Sequence, residues 1–115
     1  IGEKHLVEST KARWHSEQGQ KIISTALNRL KKLQATQGFK VIIALQPESH
    51  DFNHYQFDFM TDIMQNEAEK RGWQFVDLLP VLQGPSTETY WVSPEDIHLN
   101  GKAYQLIANF LHPLL

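Results

Sequence analysis

The chain has 115 residues, 41% of them apolar, with 11 basic and 13 acidic side chains and a formal net charge of −2. That length supports one globular domain at most, burying about two thirds of its unfolded surface. The near balance of charge gives no electrostatic reason to expect nucleic acid or an anionic membrane surface as partner, and the lack of cysteine excludes a disulfide framework, a thiolate zinc site and a cysteine nucleophile.

The longest apolar run, Val41 to Leu45, is far short of the ~18 residues a membrane helix needs. No signal-peptide pattern opens the chain. A soluble segment without a membrane span is expected, and its compartment stays open. Residue 1 is Ile rather than Met, so processing, truncation or excision is implied, and the chain is expected to belong to something longer.

Residues 1–15 mix charge with isolated apolar side chains and show no clear period. They read as an extended or irregular lead-in arm, and residues 16–115 as the domain proper. Ser16 is placed as an N-cap, with Glu17 in the first turn. Ile22, Ile23, Ala26, Leu27, Leu30 and Leu33 then recur at three and four residues, which predicts an amphipathic helix ending near Gln37 with Gly38 as its stop. The basic pairs Lys31-Lys32 and Lys70-Arg71 read as solvated helix faces.

Phe39 to Leu45 is short, β-branched and apolar from Val41 onward, as a strand covered by helices on both faces requires. Loops at the carboxyl ends of parallel strands line ligand crevices, so residues 46–53, led by Gln46, are a candidate cleft wall. A second helix is predicted over residues 53–71, with Tyr55, Phe59, Met60, Ile63, Met64 and Glu67 along its buried stripe and Gly72 stopping it. Residues 73–79 follow as a strand broken by Pro80, with Trp73 in the core; residues 83–93 then form a long loop. Two strands around one helix make a right-handed βαβ crossover. Two parallel strands leave both sheet edges open, so the sheet needs further chain or a partner, and self-association is expected.

Glu48, His50, Asp51 and His54 gather where a loop enters that helix. No glutamate follows His50 as a metalloprotease helix requires, so the cluster reads as a polar helix start, with no metal and no cofactor. Tyr90 and Trp91 serve either as an aromatic substrate wall or as side chains that pack their loop down. No glycine-rich phosphate loop or dinucleotide fingerprint is present.

The most informative stretch is Ser93-Pro94-Glu95-Asp96-Ile97-His98-Leu99-Asn100. It sets an acid two residues before a histidine, on a short loop leading into a helix that Asn100 caps. Ala103, Ile107, Phe110 and Leu111 share one face of that helix, and Pro113 ends it. Such a loop can hold an orientable imidazole as a general base; it can equally be a surface loop in which Asp96 and His98 pair locally.

Asp96-Ile97-His98-Leu99-Asn100 followed by Ala103-Tyr104-Gln105-Leu106-Ile107-Ala108 resembles the last block of the SGNH (GDSL-type) hydrolases. The sharp part covers residues 96–108. The helix, strand, helix, strand order before it is similar to the second half of that fold, from about Ser16. The resemblance implies a flavodoxin-like three-layer α/β/α fold with a parallel sheet, of which this chain is the carboxyl-terminal half. It also implies an ester hydrolase, such as an esterase, lipase or acetylhydrolase, with His98 as base and Asp96 as the acid that orients it. The substrate would be a small ester or an acylated carbohydrate, with Gln46 and Trp91 as candidate substrate contacts. The commoner family spacing places the acid at Glu95, which is the alternative to Asp96, and Ala103 stands where the family more often has glycine.

The family's nucleophile lies in a Gly-Asp-Ser motif, and none of Ser9, Ser16, Ser24, Ser49, Ser86 and Ser93 occupies one. The chain alone is therefore expected to be inactive, its nucleophile lying outside these residues. Two further readings stay open: a non-catalytic α/β binding or assembly module, and a carbohydrate O-acyltransferase of the same fold.

Overall fold

Ser16 organises the amino-terminal part of the molecule. In the computed structural model, which describes residues 2–115, α1 (Glu3–His15) and α2 (Glu17–Gln37) meet at this one residue, whose backbone is extended. Its hydroxyl donates to Arg13 O at 2.7 Å and accepts from Gly19 N at 3.0 Å, closing one helix and capping the next. The turn requires Gly19, because a Cβ there would sit 2.1 Å from Arg13 O. Gly38, in the left-handed region at φ 73, terminates α2 by donating to Gln34 O.

The helical α1 differs from the irregular arm expected over residues 1–15; Ile1 itself lies outside the described residues. Glu3 to His15 contains no glycine or proline, so nothing local opposes helix formation. Its buried positions, Val7 and Thr10, are too few to produce a visible period, and the His15 ring meets Phe59 at a tilt of 42° with centroids 6.0 Å apart.

The chain continues through β1 (Ile42–Leu45), α3 (Asp58–Lys70), β2 (Gln74–Asp77), α4 (Leu79–Leu82), a 3-10 turn at Thr87–Tyr90, β3 (Trp91–Ser93), β4 (Asp96–Leu99), α5 (Gly101–Leu111) and a closing 3-10 turn at His112–Leu114. The architecture is mixed α/β, with a two-stranded parallel sheet of β1 and β2 and a two-stranded antiparallel sheet of β3 and β4. Among the described residues no helix is long and apolar enough to cross a membrane.

The chain divides into two compact units, one formed by the residues up to Ile43 with Phe57–Val76, the other by Ala44–Gln56 with Asp77–Leu115. In the first unit, α2 has no buried residue, and Ile22 and Leu33 of its apolar stripe are 63% and 52% exposed. Polar bridges fix it instead: Arg71 donates to Asn28 Oδ1 (2.7 Å), Lys31 to Arg71 O (2.8 Å) and the Trp73 indole to Gln34 Oε1 (2.8 Å). Arg71, with its side chain 9% exposed, is thus engaged rather than solvated, while Lys31, Lys32 and Lys70 remain exposed. The Arg71 guanidinium also lies over Trp73 and donates to Glu67 O, while Lys70 pairs with the buried Glu67 carboxylate. Trp73 is buried, as expected of it.

Helix α3 begins at Asp58, later than the predicted 53. Asp51 Oδ1 accepts the N–H groups of Asn53 and His54, a local closure that competes with a helical start. The stripe of α3 buries Met60, Glu67 and Ala68, while β1 is only half covered, with Ala44 exposed. Pro80 ends no strand: Asp77 Oδ1 accepts Leu79 N, and Pro80 enters the first turn of α4, where its missing N–H costs nothing.

In the second unit Phe52 and Leu82 are fully buried, and Leu78, Leu79, Tyr90, Leu99, Ala103 and Ile107 are buried with them. Two loops are bound to each other over this core. Phe52 N donates to Thr87 Oγ1, the Gln83 amide donates to Phe52 O, and the Asn53 carboxamide both donates to Pro85 O and accepts from Gly84 N. Residues 83–93, expected as loop, supply the 3-10 turn and β3, and the stretch from Asp96 is a strand rather than a loop. Trp91 pairs with Leu99 and Ser93 with Asp96, with a bulge between the two pairs. Phe110, expected on the buried face of α5, is 46% exposed.

Candidate active site

Strand β4 places Asp96 and His98 two residues apart, so the strand's alternation sets both side chains on one face. His98 Nδ1 lies 2.6 Å from Asp96 Oδ1, which also accepts the His98 backbone N–H at 3.0 Å. An ionised carboxylate only accepts hydrogen bonds, so in the neutral ring Nδ1 carries the proton and Nε2 keeps its lone pair. Nε2 has no partner among the described residues, and the His98 side chain is 89% exposed. An imidazole held in this way can accept a proton from a hydroxyl brought to Nε2. Glu95, exposed in the turn, makes no hydrogen bond or ion pair with His98, so Asp96 is the acid on the ring.

The ring hydrogen bond from His98, then the His98 backbone N–H, hold the Asp96 carboxyl below its ordinary value. A carboxyl whose pKa is depressed on folding adds stability that is present above its unfolded value and is lost as pH falls through the lowered one. In a carbon-detected NMR titration of the Asp96 carboxyl, the midpoint is expected below that of an ordinary exposed aspartate. His98→Ala, which removes the first cause and keeps the second, should move it part of the way back. An unshifted wild-type midpoint would show that the pair is not formed in solution.

Asn100 secures the strand. Its Oδ1 accepts Ala103 N at 3.0 Å, capping α5, and its Nδ2 donates to Thr89 O and Trp91 O, both at 3.0 Å. Its role as a cap is readable from the sequence. The two donor bonds are not, because they depend on where the chain brings back residues 89–91.

Trp91, half-buried in β3, donates from its indole N–H to Ser49 O at 2.8 Å. Of its two readings, the packing contact is present, and it ties the loop after β1 to the hairpin. Gln46 is exposed directly after β1, beside the buried Pro47, and makes no hydrogen bond to Trp91, Asp96 or His98. A polar cavity of about 260 Å3 lies elsewhere in the unit, lined by His50, Asp51, Asn53, His54, Ser86, Thr87 and Glu88. His50 turns Nδ1 to Glu48, whose other oxygen accepts the His50 N–H at 2.8 Å, and His54 Nδ1 stands 3.5 Å from Asp51. Among the described residues no three His, Asp or Glu side chains converge as a metal-binding group.

No known family matches the chain, and no characterised protein or solved structure is significantly similar to it.

Proposed function

We propose that the chain is the carboxyl-terminal portion of an SGNH-like ester hydrolase with a flavodoxin-like fold, contributing the general base and its orienting acid. The observation that carries this reading is the Asp96–His98 contact, with Nδ1 engaged and Nε2 turned outward. The order β1, α3, β2, with the two strands parallel, is compatible with that fold.

In the proposed reaction His98 Nε2 takes the proton of a serine hydroxyl supplied from outside these residues, and the serine oxygen attacks the ester carbonyl carbon. Collapse of the tetrahedral intermediate breaks the carbon–oxygen bond to the alcohol, which leaves with the proton from Nε2. Water, deprotonated in turn by Nε2, then attacks the acyl-enzyme and restores the serine. Asp96 remains ionised throughout and stabilises the imidazolium.

A second reading is favoured by one specific observation. Glu48 and His50 reproduce the same closure, acid to ring and acid to backbone N–H two residues on, at a site with no resemblance to any motif. Asp96 and His98 could by the same token be a local pair in a binding or assembly module.

A fluorophosphonate probe separates the accounts. The longer protein should be labelled on a serine, and labelling should be blocked by prior acylation, while this chain alone should remain unlabelled. Labelling of this chain would overturn the placement of the nucleophile outside it. Absence of labelling in the longer protein would overturn the hydrolase reading.

A further inference from the structure

The β3–β4 ladder is a weak support for a side chain that must be aimed. It has three residues on one strand and four on the other, is interrupted by a bulge, and registers only at Trp91 with Leu99 and Ser93 with Asp96. A two-stranded hairpin of this size is marginal by itself. At one end the turn at Pro94 and Glu95 joins the strands. At the other stands Asn100, two residues beyond His98 and separated from it by the buried Leu99.

Asn100 uses both ends of its carboxamide and its backbone together. Nδ2 donates to Thr89 O and Trp91 O, Oδ1 accepts Ala103 N, the backbone N donates to Tyr90 O at 2.8 Å, and the backbone O accepts Tyr104 N at 3.2 Å. Capping alone would be served as well by aspartate or serine. The two donor bonds are open only to a side chain that presents an acceptor to α5 and an NH2 group to the opposite strand.

We propose that Asn100 is a positioning residue for His98, its carboxamide clamping β3 to the start of α5 so that β4 holds the imidazole against Asp96. The consequence for catalysis rests on the hydrolase reading; the consequence for ring orientation does not.

The two roles of Asn100 separate in Asn100→Asp, which keeps the cap oxygen and loses both donors. The nitrogen shifts of the His98 ring report which nitrogen carries the proton, and the Asp96 carboxyl titration reports whether the pair is formed. In N100D the α5 amides should keep their helical shifts. The His98 ring should pass from the Nδ1-protonated form to a mixture of tautomers, and the Asp96 midpoint should rise toward that of an exposed aspartate. A folded N100D with His98 and Asp96 unchanged would overturn the proposal. Asn100→Ser, which also keeps a cap oxygen but places no charge beside the two carbonyls, is read in the same way if N100D does not fold. Failure of both to fold would assign Asn100 to holding the unit together and would likewise overturn it. In the longer protein N100D should lower kcat about 10²-fold with KM little changed, the cost of a misplaced reacting group. Loss of the NMR signature without any esterase activity in the parent would sustain the positioning role and sink the hydrolase reading.

Discussion

Replacing His98 by alanine in the proposed hydrolase is expected to lower kcat about 10⁴-fold or more while leaving KM within a few-fold, because a general base acts in the transition state and does not bind the substrate. Asp96→Asn should approach the same loss by a different route. An amide in place of the carboxylate can present its NH2 group to Nδ1, which stabilises the tautomer protonated on Nε2 and removes the basic lone pair from the side where it is needed. The paired result is informative. If both variants fall together, the 2.6 Å contact between Asp96 and His98 is functional. If H98A leaves the function of the longer protein unchanged, the pair is a local closure like that of Glu48 with His50, and the binding-module reading stands.

The largest effect on stability is expected at Phe52. Its ring is 0% exposed and meets Tyr90 at 6.4 Å between centroids, and its backbone N–H and C=O are bonded to Thr87 and Gln83. Phe52→Ala should cost about 3–5 kcal/mol, combining lost burial with the cavity left behind, against a total stability of about 5–15 kcal/mol for a typical domain. Equilibrium urea denaturation should show a large fall in the midpoint. Ile22→Ala is the internal control: at 63% exposure, its effect should stay within about 0.5 kcal/mol. Comparable losses at the two positions would mean that the apolar face of α2 is covered in solution.

What the sequence discloses and what it conceals follow from the range of the interactions. Ser16, Gly38 and Asn100 act on residues within four positions of themselves, and their capping roles were readable directly. The α2 period was likewise plain. Its lack of burial was not, because what fixes α2 is a set of polar bridges to Asn28, Lys31 and Gln34 from residues about forty positions away. The late start of α3 reflects a competition between Asp51 as a turn former and the helical pattern behind it, which periodicity cannot weigh. The hairpin was missed for the same reason. Trp91, Val92 and Ser93 are too short a run to signal a strand, and the partner stretch from Asp96 reads as a loop. In the candidate site the adjacency of Asp96 and His98 was legible because it is local. Gln46 is a candidate by its place after a parallel strand and Trp91 by its place before the Ser93 loop, and for Trp91 the structure supplies a hydrogen bond to Ser49 that spacing alone does not reveal.

That bond has a practical side. Of the chain's 3 tryptophans, Trp14 and Trp73 belong to the first unit and Trp91 alone to the second. An indole fixed to the backbone of residue 49 is an intrinsic fluorophore for the loop that follows β1. In a background where Trp14 and Trp73 are phenylalanine, emission from one ring would follow that loop as it loosens, closes on a small molecule or rides through a stopped-flow mixing experiment, with no attached dye.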